Sequence, residues 1–341
     1  MTLSSALPRR NTREASNSAA AAFPLRRLYE AGLSWAAAAA WLVNAFIILR
    51  WPDLGDWGRG PECAYVGGAL ATLLLLSGAL RLFGVEKLTR LRRATPWLLA
   101  LGVFVSIWEA TSAKLGWLPQ PFFPPPHAIV EVFTDDWRKL LDSVVASIKL
   151  ELLGFALGAS TGFMVGVALG RSKLFGYWVH PVLRLIGPLP PIAWLPIVFF
   201  AFPSSWSASI FLIGLTTGFP VAVLTWSGVA SVNAAYYDIA RTLGASRWFL
   251  IFKVAIPAAL PQVFVGLFMG LGASFVVLVT AEMMGVKAGL GFYLQWAQGW
   301  AAYANMYAAL IVMSAMCTSF VTLLFKLRDR VLAYQKAELQ W

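Results

Sequence analysis

The sequence predicts an all-α polytopic membrane protein, on three observations of composition and length. Of 341 residues, 59% are hydrophobic and only 13% are charged, whereas soluble domains carry about a quarter of their residues as charged side chains. The mean hydropathy of +0.69 leaves too little polar surface to cover a water-soluble core. The chain also contains apolar segments long enough to cross a bilayer, which takes about 20 residues each. Disordered, collagenous and disulfide-framework classes are excluded.

Eight segments meet the length requirement, although the fifth is crowded with prolines and is the least regular. They lie near residues 29–50, 63–82, 96–116, 144–170, 185–202, 206–230, 261–284 and 304–325. Residues 233–260 are amphipathic and contain two prolines, so we expect them to be partly helical and cytoplasmic, but not spanning. Between the third and fourth segments, prolines and charged residues at 117–143 predict an external connection, part of which lies along the membrane surface.

The formal net charge of +11 could indicate nucleic acid on a soluble chain, but here membrane topology explains it. With the N-terminus inside and one crossing per segment, 20 of the 27 Lys and Arg residues fall on the cytoplasmic side. This bias follows the positive-inside rule and places both ends in the cytoplasm. The basic residues 1–28 are expected to be a cytoplasmic tail, because no cleavable apolar region follows the Arg9-Arg10 pair. We therefore expect no nucleic-acid partner.

Glycines recur at every fourth position of the fourth segment. They are Gly154, Gly158, Gly162, Gly166 and Gly170, and Gly266 and Gly270 repeat the spacing more briefly. Small residues at this spacing let a neighbouring helix approach closely. The pattern predicts a tightly packed bundle, with rocking of helices against one another as a possible further use.

The sequence contains no motif for catalysis, and we expect the chain to hold no cofactor or metal. It has no GxxxxGK[ST] phosphate loop and no HExxH or GxSxG motif, and Cys63 and Cys317 lie far apart. Glu109 and Glu151 are expected near segment ends, close to water, whereas Glu282 is either a solvated or capping carboxylate or part of a pathway. We therefore expect either a transport subunit whose energy comes from another subunit or a passive channel.

Residues 233–261 carry the most specific signal. Asp238 is expected to cap a helix or favour its N-terminus, Gly244 can end that helix or allow a sharp turn, and Pro257 and Pro261 are expected to redirect the chain before the next span. Such a helix is either an ordinary interfacial helix or one that fits a groove on a soluble partner.

This segment resembles the EAA loop of binding-protein-dependent ABC importer permeases. The resemblance rests on Asp238-Ile239-Ala240, Gly244 and the Ile256-Pro257 end, with RTLGASRW and IPAALP around them. Asp replaces the usual Glu, and Ile replaces the first Ala. FFPPP at 122–126, GPLPPIAWLPIV at 187–198 and AEMMG at 281–285 are similar to the group that imports nitrate, sulfonates, taurine or bicarbonate. The resemblance covers about 97–341, but FFAFPSSWS at 199–207 departs from it.

The resemblance implies a domain organisation around a six-span type I permease core. It consists of a tail at 1–28, two additional N-terminal spans with a basic loop at 29–95, the core at 96–325 including the coupling segment 233–260, and a tail at 326–341. The additional spans could dock on the bundle, extend a dimer surface or hold another subunit.

The resemblance also implies function and partners. The chain would be a non-enzymatic permease subunit in a bacterial inner membrane, surrounded by lipid, importing a small anionic solute such as a sulfonate, taurine, nitrate or bicarbonate. Its partners would be ABC ATPase subunits that bind ATP and Mg²⁺, an extracytoplasmic binding protein and a second permease copy or a related chain. ATPase coupling is assigned to Asp238, Ala240, Arg241, Gly244 and Pro257. An ATPase-independent channel or secondary transporter is the alternative, and a structural scaffold a more remote one.

A translocation pathway is expected at irregular or polar positions within the apolar segments. Backbone irregularity and polar groups within apolar segments single out Pro190, Pro191, Trp194, Thr216, Thr217, Ser274, Thr280 and Glu282. Each hydroxyl could instead serve a helix–helix hydrogen bond. The sequence does not identify the solute.

Overall fold

The computed structural model describes residues 12–55, 57–82 and 89–333, and the regular secondary structure within these ranges is helical. In chain order the helices are α1 Thr12–Arg50, α2 Gly60–Leu82, α3 Thr89–Glu109, α4 Pro126–Asp135, α5 Trp137–Arg171, α6 Lys173–Ile186, α7 Leu195–Ala201, α8 Ser205–Ala230, α9 Ala234–Thr242, α10 Arg247–Phe249, α11 Ile256–Met284, α12 Leu290–Gly299 and α13 Tyr303–Val331. The chain divides into two compact units, Met1–Asp135 and Asp136–Trp341. Parts of both predicted tails, 1–11 and 334–341, lie outside the described residues.

The described residues contain seven helices that are long and apolar enough to cross a membrane. They are Leu28–Arg50, Gly60–Arg81, Arg93–Lys114, Trp137–Arg171, Ser205–Ala230, Arg247–Met284 and Tyr303–Val331. An eighth crossing exists only if Lys173–Ile186 and Pro191–Ala201 count together, and this pair is bent by 92°. Residues 185–202 therefore do not form one continuous span, and a crossing at this place stays a prediction that depends on the bent pair. Its prolines at 188, 190 and 191 remove backbone donors and break the helix into two parts.

The expected boundary of the cytoplasmic segment also needs correction. The helix that contains α10, a π-helical turn at Leu250–Ala255 and α11 runs without a break from Arg247 to Met284. Pro257 and Pro261 therefore lie inside this helix and do not redirect the chain. Pro257 lies two residues after the π-helical turn, so the backbone is already irregular close to where proline removes a donor. Only the part before Arg247 stands apart from the spanning helix.

In the first unit, α1 packs against both α2 and α3. Ala37 and Ala38 of α1 meet Ala71 and Leu74 of α2 in a small-residue core. The indole N–H of Trp41 donates a hydrogen bond across 3.0 Å to the carbonyl of Leu98 in α3. The third predicted span is thus tied to the additional N-terminal helices within this unit, and the proposed core boundary at residue 96 stays a prediction.

In the second unit, the central packing is α5 against α8 and α8 against α11. The predicted glycine stripe forms the first of these contacts. A Cβ added at Gly158 would come within 2.3 Å of the carbonyl oxygen of Gly214, and one at Gly162 within 2.4 Å of that of Gly218. The prediction of close helix approach is confirmed. Gly270 gives a similar contact, with an added Cβ 3.0 Å from the carbonyl oxygen of Thr217.

Candidate coupling segment and transport core

The helix α9 begins at a side-chain cap, but the capping residue is not the one expected. The side-chain oxygen of Asn233 accepts a hydrogen bond from the N–H of Ala235 across 3.0 Å. Asp238 lies in the middle of α9, where it pairs with Arg241 across 3.3 Å on an exposed surface. The expectation that Asp238 caps this helix is wrong, because Asn233 lies directly before its first turn and already satisfies an orphan N–H there.

The turn that ends α9 agrees with the expectation for Gly244. This residue has φ +78°, a left-handed conformation that favours glycine. The N–H of Gly244 donates to the carbonyl of Arg241, and the N–H of Ala245 donates to that of Ala240. These two bonds form a Schellman motif, which closes the helix and redirects the chain. Gly244 and Ala240 therefore share one turn at the end of α9.

One face of α9 is apolar and exposed. Tyr236, Ile239 and Leu243 are exposed by 63%, 60% and 81%, and their spacing of three and four residues puts them on one side of the helix. We call these three residues the α9 stripe. Apolar side chains gathered on one face of a short surface helix are typical of a helix that binds in a partner's groove. Of these three residues, the sequence motif contains only Ile239, and nothing in the sequence had singled out Tyr236 or Leu243.

Two carboxylates are buried in the second unit and held by hydroxyl groups. Glu151 of α5 is fully buried and accepts a hydrogen bond from Ser274 of α11 across 2.5 Å. Glu282 of α11 is 1% exposed and accepts from Ser147 across 2.7 Å and from the N–H of Gly291 across 2.8 Å. The expectation that Glu151 lies near water is wrong, because α5 begins at Trp137, seven residues earlier than the expected apolar segment.

The other predicted pathway residues on α8 and α11 are mostly engaged inside the bundle. Thr216 is buried and donates to the carbonyl of Leu212 across 2.7 Å. Thr217 is fully buried, with its hydroxyl group unpaired beside the glycine contacts. Thr280 is half-buried and donates to the carbonyl of Val276. The buried members, together with Ser274 and Glu282, can meet a solute only if the helices separate.

The proline motif lies where the bent pair changes direction. Pro190 is exposed and precedes a 3-10 turn, Pro191–Trp194, which leads into α7. Trp194 packs against the apolar core of the second unit. The motif thus places an irregular backbone beside the bundle core, as expected, but as a sharp bend and not as part of a continuous span.

A cavity of about 410 Å³ adds residues that the sequence did not indicate. It is lined by residues of α5, α8 and α11, including Asp142, Lys149, Trp206 and Glu282. The ammonium group of Lys149 shares this cavity with two carboxylates, so the cavity is lined by groups of both charge signs. The seven-residue spacing of Asp142 and Lys149 along α5 was visible in the sequence, but nothing local marked the cavity that they share with Glu282.

Comparison with known proteins agrees with this architecture. Residues 158–334 match the family described as the binding-protein-dependent transport system inner membrane component. The chain is 32% identical over 223 residues to the nitrate import permease protein NrtB of Synechococcus elongatus, covering 63% of this chain and 78% of that protein. It is 33% identical over 213 residues to the taurine transport system permease protein TauC of Escherichia coli, covering 60% and 76%.

A third relative is also named as a transport permease, and one solved structure of a transporter can be superposed on part of the chain. The putative aliphatic sulfonates transport permease protein SsuC of Bacillus subtilis is 32% identical over 232 residues, covering 67% of this chain and 84% of that protein. The crystal structure of an amino acid ABC transporter superposes with a TM-score of 0.48 at 16% identity, covering 59% of this chain and 97% of that chain. At that distance the structural likeness carries no conclusion about function.

The fold and the matched region define a multi-pass transport subunit of a bacterial inner membrane. The chain belongs to the family of binding-protein-dependent transport system inner membrane components. It is the permease subunit of an ABC importer and not itself an enzyme. Importers of this family work with ATPase subunits and binding proteins in general.

Proposed function

We propose that this permease imports a small anion, which a binding protein delivers. In this proposal, α9 is the element through which the permease docks onto a partner ATPase, and that ATPase binds ATP and Mg²⁺. Three relatives with 32–33% identity are named for nitrate, aliphatic sulfonates or taurine, all of which carry an anionic group. The observation that carries the docking assignment is the exposed α9 stripe, which follows a capped turn and precedes a Schellman turn. Two copies of the chain, or this chain and a relative, would surround the path.

Rigid turns at both ends of α9 suit the transmission of force. Asn233 fixes the start of the helix and Gly244 its end, so a push on the α9 stripe moves the whole element. The chain then leads directly into the long helix Arg247–Met284, which carries Glu282 near its far end. Closure of two ATPase subunits would in this way rock a spanning helix and open the path alternately to each side.

The eight pathway residues remain part of the proposal, with different roles. Pro190, Pro191 and Trp194 would shape the bend at the edge of the path. The buried group Thr216, Thr217, Ser274 and Glu282, with Thr280 beside it, would meet the solute only in a state where α5, α8 and α11 move apart. The selectivity for the solute would then rest mainly with the binding protein.

The proposed orientation puts α9 and both ends of the chain in the cytoplasm. It is supported by 20 of the 27 basic residues falling on that side when the bent pair of Lys173–Ile186 and Pro191–Ala201 crosses the membrane once. A fluorescent protein that matures only in the cytoplasm, fused after Trp341, should be bright. A dark but fully expressed fusion would contradict the orientation.

The docking assignment is tested by adding one charge to either face of α9. Ile239→Glu places a carboxylate within the α9 stripe, and we expect at least a 10-fold loss of ATPase subunits copurifying with the permease. Ala234→Glu adds the same charge on the opposite face, close to the helix N-terminus where a carboxylate is favourable, and should leave copurification unchanged. Equal loss in both variants, or in neither, contradicts docking through the stripe.

The transport assignment is tested in proteoliposomes that contain the complete importer and its binding protein. We expect uptake of nitrate, taurine or bicarbonate only when ATP is supplied on the ATPase side. Uptake at the same rate without ATP would instead support a channel or a secondary transporter.

A further inference from the structure

The first unit contains a polar cluster, two of whose three members are buried, that the proposed transport mechanism does not involve. Asp53 comes from the segment after α1, Glu109 is the last residue of α3, and His127 lies in the first turn of α4. One possible ligand atom from each residue lies within 4.8 Å of the others. All three residues precede the family-matched region 158–334. The match to the family model therefore gives these three residues no role.

Two members of the cluster are buried with atoms that lack hydrogen bonds. Glu109 is 0% exposed and His127 is 1% exposed. Nδ1 of His127 lies 3.1 Å from both oxygens of Glu109 and forms its hydrogen bond with Oε2, so Oε1 has no donor of its own and Nε2 of His127 has no partner. A buried polar atom without a partner costs about 1–3 kcal/mol. A buried carboxylate served by a single donor, beside a ring nitrogen without a partner, indicates that a further group belongs between these segments.

Lys114 does not supply that group. Its buried ammonium group lies 2.8 Å from Oδ1 of Asp53 and donates to the carbonyl of Trp51 across 2.5 Å. These bonds fix Asp53 at the edge of the cluster. The carboxylate of Glu109 is therefore paired with His127 and not with Lys114. Protonation of His127 would balance the charge of Glu109, but it would also create a buried Nε2–H donor with no acceptor.

We propose that Asp53, Glu109 and His127 bind a divalent first-row transition metal of the Zn²⁺ class. Imidazole together with carboxylates suits Zn²⁺ and its neighbours, whereas Mg²⁺ and Ca²⁺ prefer oxygen ligands alone. Three protein ligands leave a fourth position for water, the usual stoichiometry of an open zinc site. The proposal reverses the expectation from sequence that the chain has no metal site.

The position of the cluster indicates what the ion does. It joins the segment after α1 to the end of α3 and the start of α4, a connection already supported by the hydrogen bond from the N–H of Leu54 to the carbonyl of Ala113. Trp57 packs edge-on against the ring of His127 and shields it. The side chain of Asp53 is 25% exposed and provides the access route from water. The ion therefore fastens three segments at one end of the first unit.

The test uses the full-length protein with an affinity tag free of histidine. After chelation and dialysis against Zn²⁺, elemental analysis should find about one retained Zn²⁺ per chain. His127→Gln should weaken Zn²⁺ binding at least about 100-fold, and Asp53→Asn, at the accessible edge, about 10-fold. His180→Gln changes the one other histidine of the chain, which packs on Trp226 in the second unit, and should bind Zn²⁺ as the unchanged protein does.

A spectroscopic measurement keeps the proposal testable if His127→Gln does not fold. Co²⁺ added to the unchanged protein should give the visible absorption bands of a four-coordinate nitrogen and oxygen site, and Zn²⁺ should displace it. No retained Zn²⁺ and no Co²⁺ bands would overturn the proposal in favour of a protonated His127 paired with Glu109. An equal loss of metal in His180→Gln would also overturn it.

Discussion

Ser147 of α5 donates a hydrogen bond to Glu282 of α11 across 2.7 Å and accepts one from the N–H of Leu290 across 2.8 Å. Glu282 also accepts a hydrogen bond from the N–H of Gly291, so Ser147 and Glu282 each accept a hydrogen bond from the first turn of α12. Gly289, which precedes this helix, has no side chain that could cap it. A carboxylate and a hydroxyl group from two other helices therefore do the work of a cap.

The glycines around α12 make this contact possible. Gly289 has φ +107°, and an added Cβ there would overlap the carboxylate of Glu282. A Cβ at Gly291 would lie 2.5 Å from the carbonyl oxygen of Val279. The sequence AEMMGVKAGLG thus encodes one arrangement, in which the glycines admit the carboxylate and the carboxylate anchors α12.

Glu282→Ala should destabilise the protein. The N–H of Gly291 and the hydroxyl of Ser147 would lose their acceptor, at about 1–3 kcal/mol for each buried donor left without a partner. Thermal unfolding in detergent should show a lower midpoint, with a smaller change for Glu282→Gln, which keeps one oxygen. Thr280→Val removes a hydroxyl that bonds only to its own helix, and should leave the midpoint nearly unchanged. Equal midpoints for Glu282→Ala and Thr280→Val would contradict the anchoring role.

Gly158→Ala should force α5 and α8 apart. Its Cβ would lie 2.3 Å from a backbone carbonyl oxygen, which cannot move without its helix. Overpacking of this kind costs about 1–3 kcal/mol. Gly272→Ala in α11 is the matched control, because an added Cβ there meets nothing within 4 Å and alanine is the better helix former by about 1 kcal/mol. Opposite shifts of the unfolding midpoint are expected, and a shift in the same direction would contradict the packing argument.

Gly244→Val should uncouple ATP hydrolysis from transport. The site has open space around it, so the cost arises from the left-handed backbone, which disfavours a β-branched residue by about 1–2 kcal/mol. Gly244→Asn is the control, since asparagine tolerates this conformation. ATP hydrolysis stimulated by the loaded binding protein should fall at least 10-fold in the valine variant and stay near normal with asparagine. Comparable stimulation in both would show that the turn is not required.

Asp135→Asn should alter stability only above acidic pH. Arg59 lies 2.9 Å from Asp135 within the first unit and holds the pKa of that carboxyl below its usual range. Because the pKa is lower in the folded state, the stabilisation is complete above the unfolded value near 4 and disappears as the pH falls through the folded value. The unfolding midpoints of the variant and the unchanged protein should differ slightly at pH 7 and converge in acid. Since the pair is exposed, added salt should reduce the difference at pH 7.

Local patterns in the sequence predicted much of the structure. Apolar length located the seven long helices, and the four-residue spacing of glycine identified the face of α5 that meets α8. Gly244 was correctly expected to end α9, because a left-handed turn depends on one residue type. The expected cap at Asp238 failed, since Asn233 lies five residues earlier and fits the first turn better.

Hydropathy alone misjudged the ends and breaks of several helices. It could not show that 185–202 bends by 92°, or that the helix ending at Met284 begins at Arg247. A window average treats proline and charge as small reductions in hydropathy. In the folded chain, proline removes a hydrogen bond at one place, and a helix continues through charged residues where its backbone bonds persist.

The sequence by itself determined the class of protein, the approximate spans and the segment before Arg247 that is proposed to meet an ATPase. These follow from composition, periodicity and residues that act within a few positions of one another. Only the tertiary structure decided that Glu151 and Glu282 are buried beside hydroxyl groups, and that Asp53, Glu109 and His127 meet. Burial and convergence depend on how distant helices pack, and no local pattern encodes which side chains face one another across that packing.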